Sequence, residues 1–142
     1  MNITISFELD DIDWKQVAEI FEKAPLGTRE PEKLSRAAAN SELVCFARNG
    51  EEYIGFARAI TDGEYNGVIY DLCILPQYQS QGIGRMIMDV MLERLSPLNV
   101  ILYAVPGKEG FYSKLGFNNM LTAMGRFKDV EGMVERGYLQ KP

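Results

Sequence analysis

The chain has 142 residues, a net charge of −5 and no histidine. That length suits one domain with a sizeable core. The missing histidine excludes Ser-His and Cys-His catalytic pairs and histidine zinc sites, and the acidic balance opposes non-specific nucleic-acid binding. Apolar residues make up 46% and charged residues 25%, as in an ordinary soluble globular protein. No apolar run approaches the roughly 20 residues that span a bilayer, and the opening "MNITISFELDD" lacks a basic region followed by an apolar core. The expectation is therefore a cytoplasmic protein without a membrane partner. Cys45 and Cys73 lie in apolar, strand-like runs and read as buried reduced thiols rather than a disulfide or metal pair. Charge is uneven: residues 1–71 hold 14 acids against 7 bases, and residues 72–142 hold 6 against 8. Such a split is either scatter over solvated faces or the mark of an anionic ligand on the second half and a cationic one against the first.

In chain order, "ITISFEL" alternates and predicts a first strand. "DDIDWKQVAEIFEKA" places Ile12, Val17, Ile20 and Phe21 at helical spacing, with acids near its start, and "EPEKLSRAAANS" predicts a second helix. "LVCFAR" and "EEYIGFARAI" flank Asn49-Gly50, a hairpin signal. After the turn "DGEYNG", the run "VIYDLCIL" predicts another strand. Met86, Ile87, Val90, Met91 and Leu95 then mark one helix face. "NVILYAV" (residues 99–105) reads as a strand, and "KEGFYSKLGF" as a short helix capped by Gly116. "MLTAMGRF" is expected as a last strand and "VEGMVERGYLQKP" as a tail or short helix. The sum is a mixed α/β single domain over residues 1–142.

Between the strand at 68–75 and the following helix lies "PQYQSQGIGR". A helix opens with about four backbone N–H groups lacking partners, and anions stabilise that end. Glycines let the backbone approach a phosphate closely. The segment is not a Walker loop, because G-x-x-x-x-G-K-[ST] is missing. Nor is it a dinucleotide fingerprint, because Gly82-Ile83-Gly84-Arg85-Met86-Ile87 ends in isoleucine. Taken alone it fits either a pyrophosphate cradle or a plain tight turn.

Gln79-x-x-Gly82-x-Gly84, following a strand and a proline and opening a helix, resembles the acyl-CoA-binding motif of the GNAT N-acyltransferase superfamily. "FYSKLGF" (residues 111–117) resembles that family's second signature. The element order is similar across residues 2–127, and the two motifs together resemble the small arylalkylamine-acetyltransferase-like branch. The resemblance implies a central mixed sheet with splayed parallel strands flanked by helices, and acetyl-CoA bound between those strands without a metal. It implies that the main chain of Cys73 and Ile74 pairs with the pantetheine arm. Gln79, Ser80, Gln81, Gly82, Ile83, Gly84 and Arg85 would hold the pyrophosphate. It also puts Phe111 and Gly107 among the cofactor-binding positions, although Gly107 stands where many members carry a CoA-binding asparagine. Many members are homodimers, so a homodimer is expected.

Acetyl transfer needs a neutral amine, stabilisation of negative charge on the acetyl oxygen, and a proton for the departing thiolate. A backbone N–H near Ile74 is the natural oxyanion donor. By the resemblance Tyr112 is the acid, since a phenol ionising near about 10 remains protonated at neutral pH; it also reads as a packed aromatic. Asp71, an acid in an apolar strand, is the candidate base, with substrate-ammonium anchor or structural aspartate as alternatives. Glu64 and Tyr70 are weaker base candidates, and Lys108 is a phosphate partner or a solvated lysine. Trp14, Phe21, Leu26, Tyr65, Met120 and Met124 line either an acceptor pocket or plain core. The expected function is acetylation of a small-molecule primary amine. Protein or peptide N-acetylation and a non-catalytic acetyl-CoA-binding module are the alternatives.

Overall fold

The structure, a computed structural model, describes all 142 residues. They cluster into two compact units, Met1–Leu102 and Tyr103–Pro142.

The first unit holds the sheet. Strands β1 (Ile3–Ser6), β2 (Leu43–Asn49), β3 (Glu52–Thr61), β4 (Asn66–Ile74) and β5 (Asn99–Ile101) lie in the order β1-β2-β3-β4-β5. All neighbours are antiparallel except β4 and β5, which are parallel. Helix α1 (Trp14–Lys23) starts where the Asp13 carboxylate accepts the Gln16 amide at 3.2 Å, and it buries Val17, Ala18, Ile20 and Phe21. Helix α2 (Pro31–Ala39) opens on Pro31, whose missing N–H costs nothing there, and buries Leu34 and Ala38. The hairpin predicted at Asn49-Gly50 forms one residue later. Asn49 pairs with Glu52, so Gly50, at φ 60, and Glu51 make the turn. Phe21, Phe46 and Phe56 are fully buried. Phe56 stands at 5.9 Å from Phe21 and 5.5 Å from Phe46 between ring centroids, and Trp14 packs edge-on at 6.3 Å. Phe21 is thus core rather than pocket lining.

A 3-10 turn (Pro76–Tyr78) follows β4, and helix α3 (Ile83–Leu95) then buries Ile83, Ile87, Met88, Met91 and Leu95 against the sheet side of the unit. The strand expected over residues 99–105 stops at Ile101. Its ladder with β4 covers only Asn66↔Asn99, Gly67↔Val100 and Val68↔Ile101, so β4 runs on to Ile74 without a β5 partner.

The second unit holds two short helices, α4 (Glu109–Ser113) and α5 (Val130–Glu135), and no strand. Gly116 closes α4 as predicted: at φ 91 it donates to the Ser113 carbonyl while Phe117 donates to that of Tyr112, both at 3.1 Å, a Schellman arrangement. The strand expected at "MLTAMGRF" does not form. A lone strand cannot satisfy its backbone without a neighbour, and this unit offers none. Leu121 and Met124 are 97% exposed. Tyr103 packs edge-on against Phe127 and Tyr138, each at 5.8 Å.

Candidate active site

Strand β4 carries an extra residue. Arg58 pairs with Tyr70 but Phe56 pairs with Cys73, so Asp71 and Leu72 together face Ala57. Asp71 adopts φ 64, a left-handed conformation that aspartate tolerates better than most residues. Such bulges break the ladder locally and re-aim the residues beyond them.

Past the bulge, Leu75 donates to the Ile54 carbonyl at 2.9 Å, and Gly55 stands opposite Ile74. In an antiparallel ladder this makes Gly55–Ile74 a non-hydrogen-bonded pair. The N–H and C=O of Ile74 therefore point away from β3, to the side where β5 has already ended. Cys73 is turned the other way, towards Phe56. Both residues were expected to present main chain to a pantetheine arm; the main chain of Ile74 is turned away from β3 and free of it, whereas that of Cys73 is turned to β3, because peptide direction alternates along a strand. Gly55 also makes room for the side chains of Ile74 and Ile87, since a Cβ there would lie 2.9 Å from both of their Cδ1 atoms.

Gln79 donates from Nε2 to the Ile74 carbonyl at 2.9 Å, which ties the turn to the strand end and leaves the Ile74 N–H as the outward group. Gln81 likewise donates to the Gln77 carbonyl at 2.9 Å. Ser80 and Gly82 take positive φ values of 63 and 85, and Gly82 caps α3 with no side-chain hydrogen bond. Met86 donates to the Gly82 carbonyl at 3.0 Å, so the amides of Ile83, Gly84 and Arg85 precede the first intrahelical bond. They form an uncapped, electropositive end suited to an anion. The Ile83 side chain is buried, while Gly82 and Arg85 are exposed. Arg85 pairs along the helix with Asp89 at 3.2 Å.

Asp71 is engaged on both oxygens. Arg58 Nε lies 2.7 Å from Oδ2 and Arg29 Nη2 3.5 Å from Oδ1, with the Asp71 side chain 14% and the Arg58 side chain 18% exposed. Arg58 also donates to Ser41 Oγ at 3.3 Å and stacks over the Tyr70 ring at 5.1 Å. Arg29 lies over Phe21 at 4.6 Å. These two arginines escaped the sequence reading. The signal was present, because an acid in an apolar strand calls for a cation and "IGFARAI" puts an arginine in the neighbouring strand. Glu64 lies exposed in the Asp62 turn, where Asp62 Oδ1 accepts the amides of Glu64, Tyr65 and Asn66.

In the second unit, Tyr112 sits on α4 between Phe111 and Phe117, edge-on at 5.0 and 5.9 Å. Burial pushes its phenol up to about 12, so it holds its proton throughout the neutral range. Gly107, at φ 92, is exposed, and its amide donates to Glu109 Oε1 at 2.6 Å. Lys108 is exposed at the head of α4. Burial raises the Cys45 thiol to about 12 and raises that of Cys73 further, so neither is a nucleophile at neutral pH. No group of three or more acids or cysteines is placed to hold a metal.

The chain as a whole matches known proteins. The acetyltransferase (GNAT) domain family matches residues 9–132, across both units. A rice (Oryza sativa subsp. japonica) protein named serotonin N-acetyltransferase 2, chloroplastic, is 34% identical over 113 residues, covering 75% of this chain and 56% of its own. A soybean (Glycine max) protein named a histone acetyltransferase is 30% identical over 121 residues, covering 75% and 52%. The chain thus spans about half the length of these curated relatives. A solved GNAT-family acetyltransferase from Streptococcus pneumoniae superposes with a TM-score of 0.75 at 27% identity, over 89% of this chain and 96% of that one.

Proposed function

The chain belongs to the GNAT acetyltransferase family, and from that premise we propose that it transfers the acetyl group of acetyl-CoA to the primary amine of a small molecule. The carrying observation is the pairing, within one strand–turn–helix unit, of the outward Ile74 N–H with the uncapped start of α3. One group suits an acetyl carbonyl and the other a pyrophosphate. Acetyl-CoA, when bound, supplies an activated thioester. The amides of Ile83, Gly84 and Arg85 hold its pyrophosphate against the helix dipole. The Ile74 N–H receives the charge that develops on the acetyl oxygen. By the family resemblance, Tyr112 is the group that would give a proton to the departing thiolate. Asp71 receives no base role, because both its oxygens are engaged by guanidinium groups; water takes the amine's proton instead.

The name of the rice relative supports an arylalkylamine as acceptor, and that of the soybean relative supports a protein lysine. The acceptor is tested by release of the CoA thiol from acetyl-CoA across arylalkylamines, polyamines and lysine-containing peptides. Release driven by a small amine supports the proposal. Release driven by peptides alone replaces it with protein acetylation.

A further inference from the structure

The bulge decides which amide faces outward, and a charged clamp holds the bulge. On the Asn66 side, Asp62 donates to the Asn66 carbonyl at 3.3 Å, so even-numbered residues of β4, Val68 and Tyr70, turn their main chain to β3. Past Asp71 the odd-numbered Cys73 and Leu75 do so. The one extra residue inverts the alternation. Without it Ile74 would spend its N–H on β3. The residue that makes the inversion, Asp71, is held in its left-handed conformation by Arg58 from β3 and by Arg29 from the loop between α1 and α2. Arg58 is itself fixed by Ser41, whose hydroxyl donates to the Ala37 carbonyl at 2.8 Å. Three elements thus converge on one strained peptide.

We propose that Arg58 is a positioning residue for acetyl transfer: with Arg29 it clamps the Asp71 bulge, and so aims the Ile74 N–H. This rests on the reading of Ile74 as the oxyanion donor. Asp71 then acts as the anion of the clamp, not as a proton acceptor.

The test uses the full chain in four forms beside wild type: Arg58→Met, Arg58→Lys, Asp71→Asn and the double variant Arg58→Met/Asp71→Asn. The amide resonance of Ile74 in a 15N-labelled sample reports the bulge without any need for turnover. Kinetics use whichever amine supports CoA release by wild type. Arg58→Met is expected to move the Ile74 amide and to lower kcat about a hundredfold, with KM for acetyl-CoA little changed. Arg58→Lys recovers part of both effects, and the double variant is no worse than the poorer single one, as for residues acting as a unit. Should Arg58→Met not fold, the half-exposed Arg29→Met gives a smaller shift in the same direction. An Ile74 amide unmoved in both arginine variants overturns the clamp. So does an Asp71→Asn enzyme that loses activity and its pH dependence while Arg58→Met keeps both, the signature of a base. If wild type acetylates no amine, the proposed function fails, while the amide shift still decides the clamp.

Discussion

A phenol can serve as a proton donor only while it keeps its proton, and Tyr112 keeps it well. Its surroundings disfavour the phenolate, pushing the group from the ordinary 10.0 up to about 12. A folded-state value above the unfolded one means that the fold binds this proton more tightly. The resulting stability is fully present below about pH 10 and is lost as the pH climbs towards 12. Tyr112→Phe should therefore abolish a fall in the urea midpoint between those limits, read as the difference between wild type and variant. The same substitution should lower kcat and leave acetyl-CoA affinity intact, since the aromatic packing with Phe111 and Phe117 persists without the hydroxyl. Equal kcat values at neutral pH would remove Tyr112 from the chemistry.

At the scale of elements, helix α3 and the turn before it form the proposed anion site, and a single added charge would separate folding from binding there. An aspartate in the first turn of a helix favours the dipole by about 0.5 kcal/mol. It also brings negative charge and bulk to the place assigned to phosphate. Gly84→Asp should thus leave the thermal midpoint near that of wild type while weakening acetyl-CoA binding, measured by calorimetric titration; unchanged affinity would contradict the pyrophosphate assignment. This element was legible in the sequence because glycine spacing and helical periodicity are local. So was the Schellman cap of α4, written in Gly116. The bulge was not legible. It depends on the register between β3 and β4, a non-local pairing, and no glycine marks it because Asp71 takes the left-handed conformation itself. The strand at "MLTAMGRF" failed for the same reason in reverse: its alternation was local, but the partner strand it needed was not there. Cys73 and Ile74 lie on the strand expected for them, and the bulge decides which of the two turns its main chain away from β3.

At the scale of the molecule, the first unit carries the aromatic core that holds β3 and β4 in place, and the second carries Tyr112. Phe56 touches the rings of Trp14, Phe21 and Phe46 and is completely buried. Phe56→Ala should cost about 3–5 kcal/mol, visible as a lower denaturation midpoint, and should disturb the neighbouring Ala57 face of the bulge as well. A loss under about 1 kcal/mol would mean that the core collapses around the gap. The central claim concerns the whole protein at work, and the most direct measurement is mass spectrometry of candidate acceptors after incubation with isotopically labelled acetyl-CoA and the purified protein. The account predicts that a small primary amine gains one labelled acetyl group on nitrogen, at a rate that depends on enzyme and falls in Tyr112→Phe. Tight acetyl-CoA binding with no labelled amine from any small molecule would contradict it.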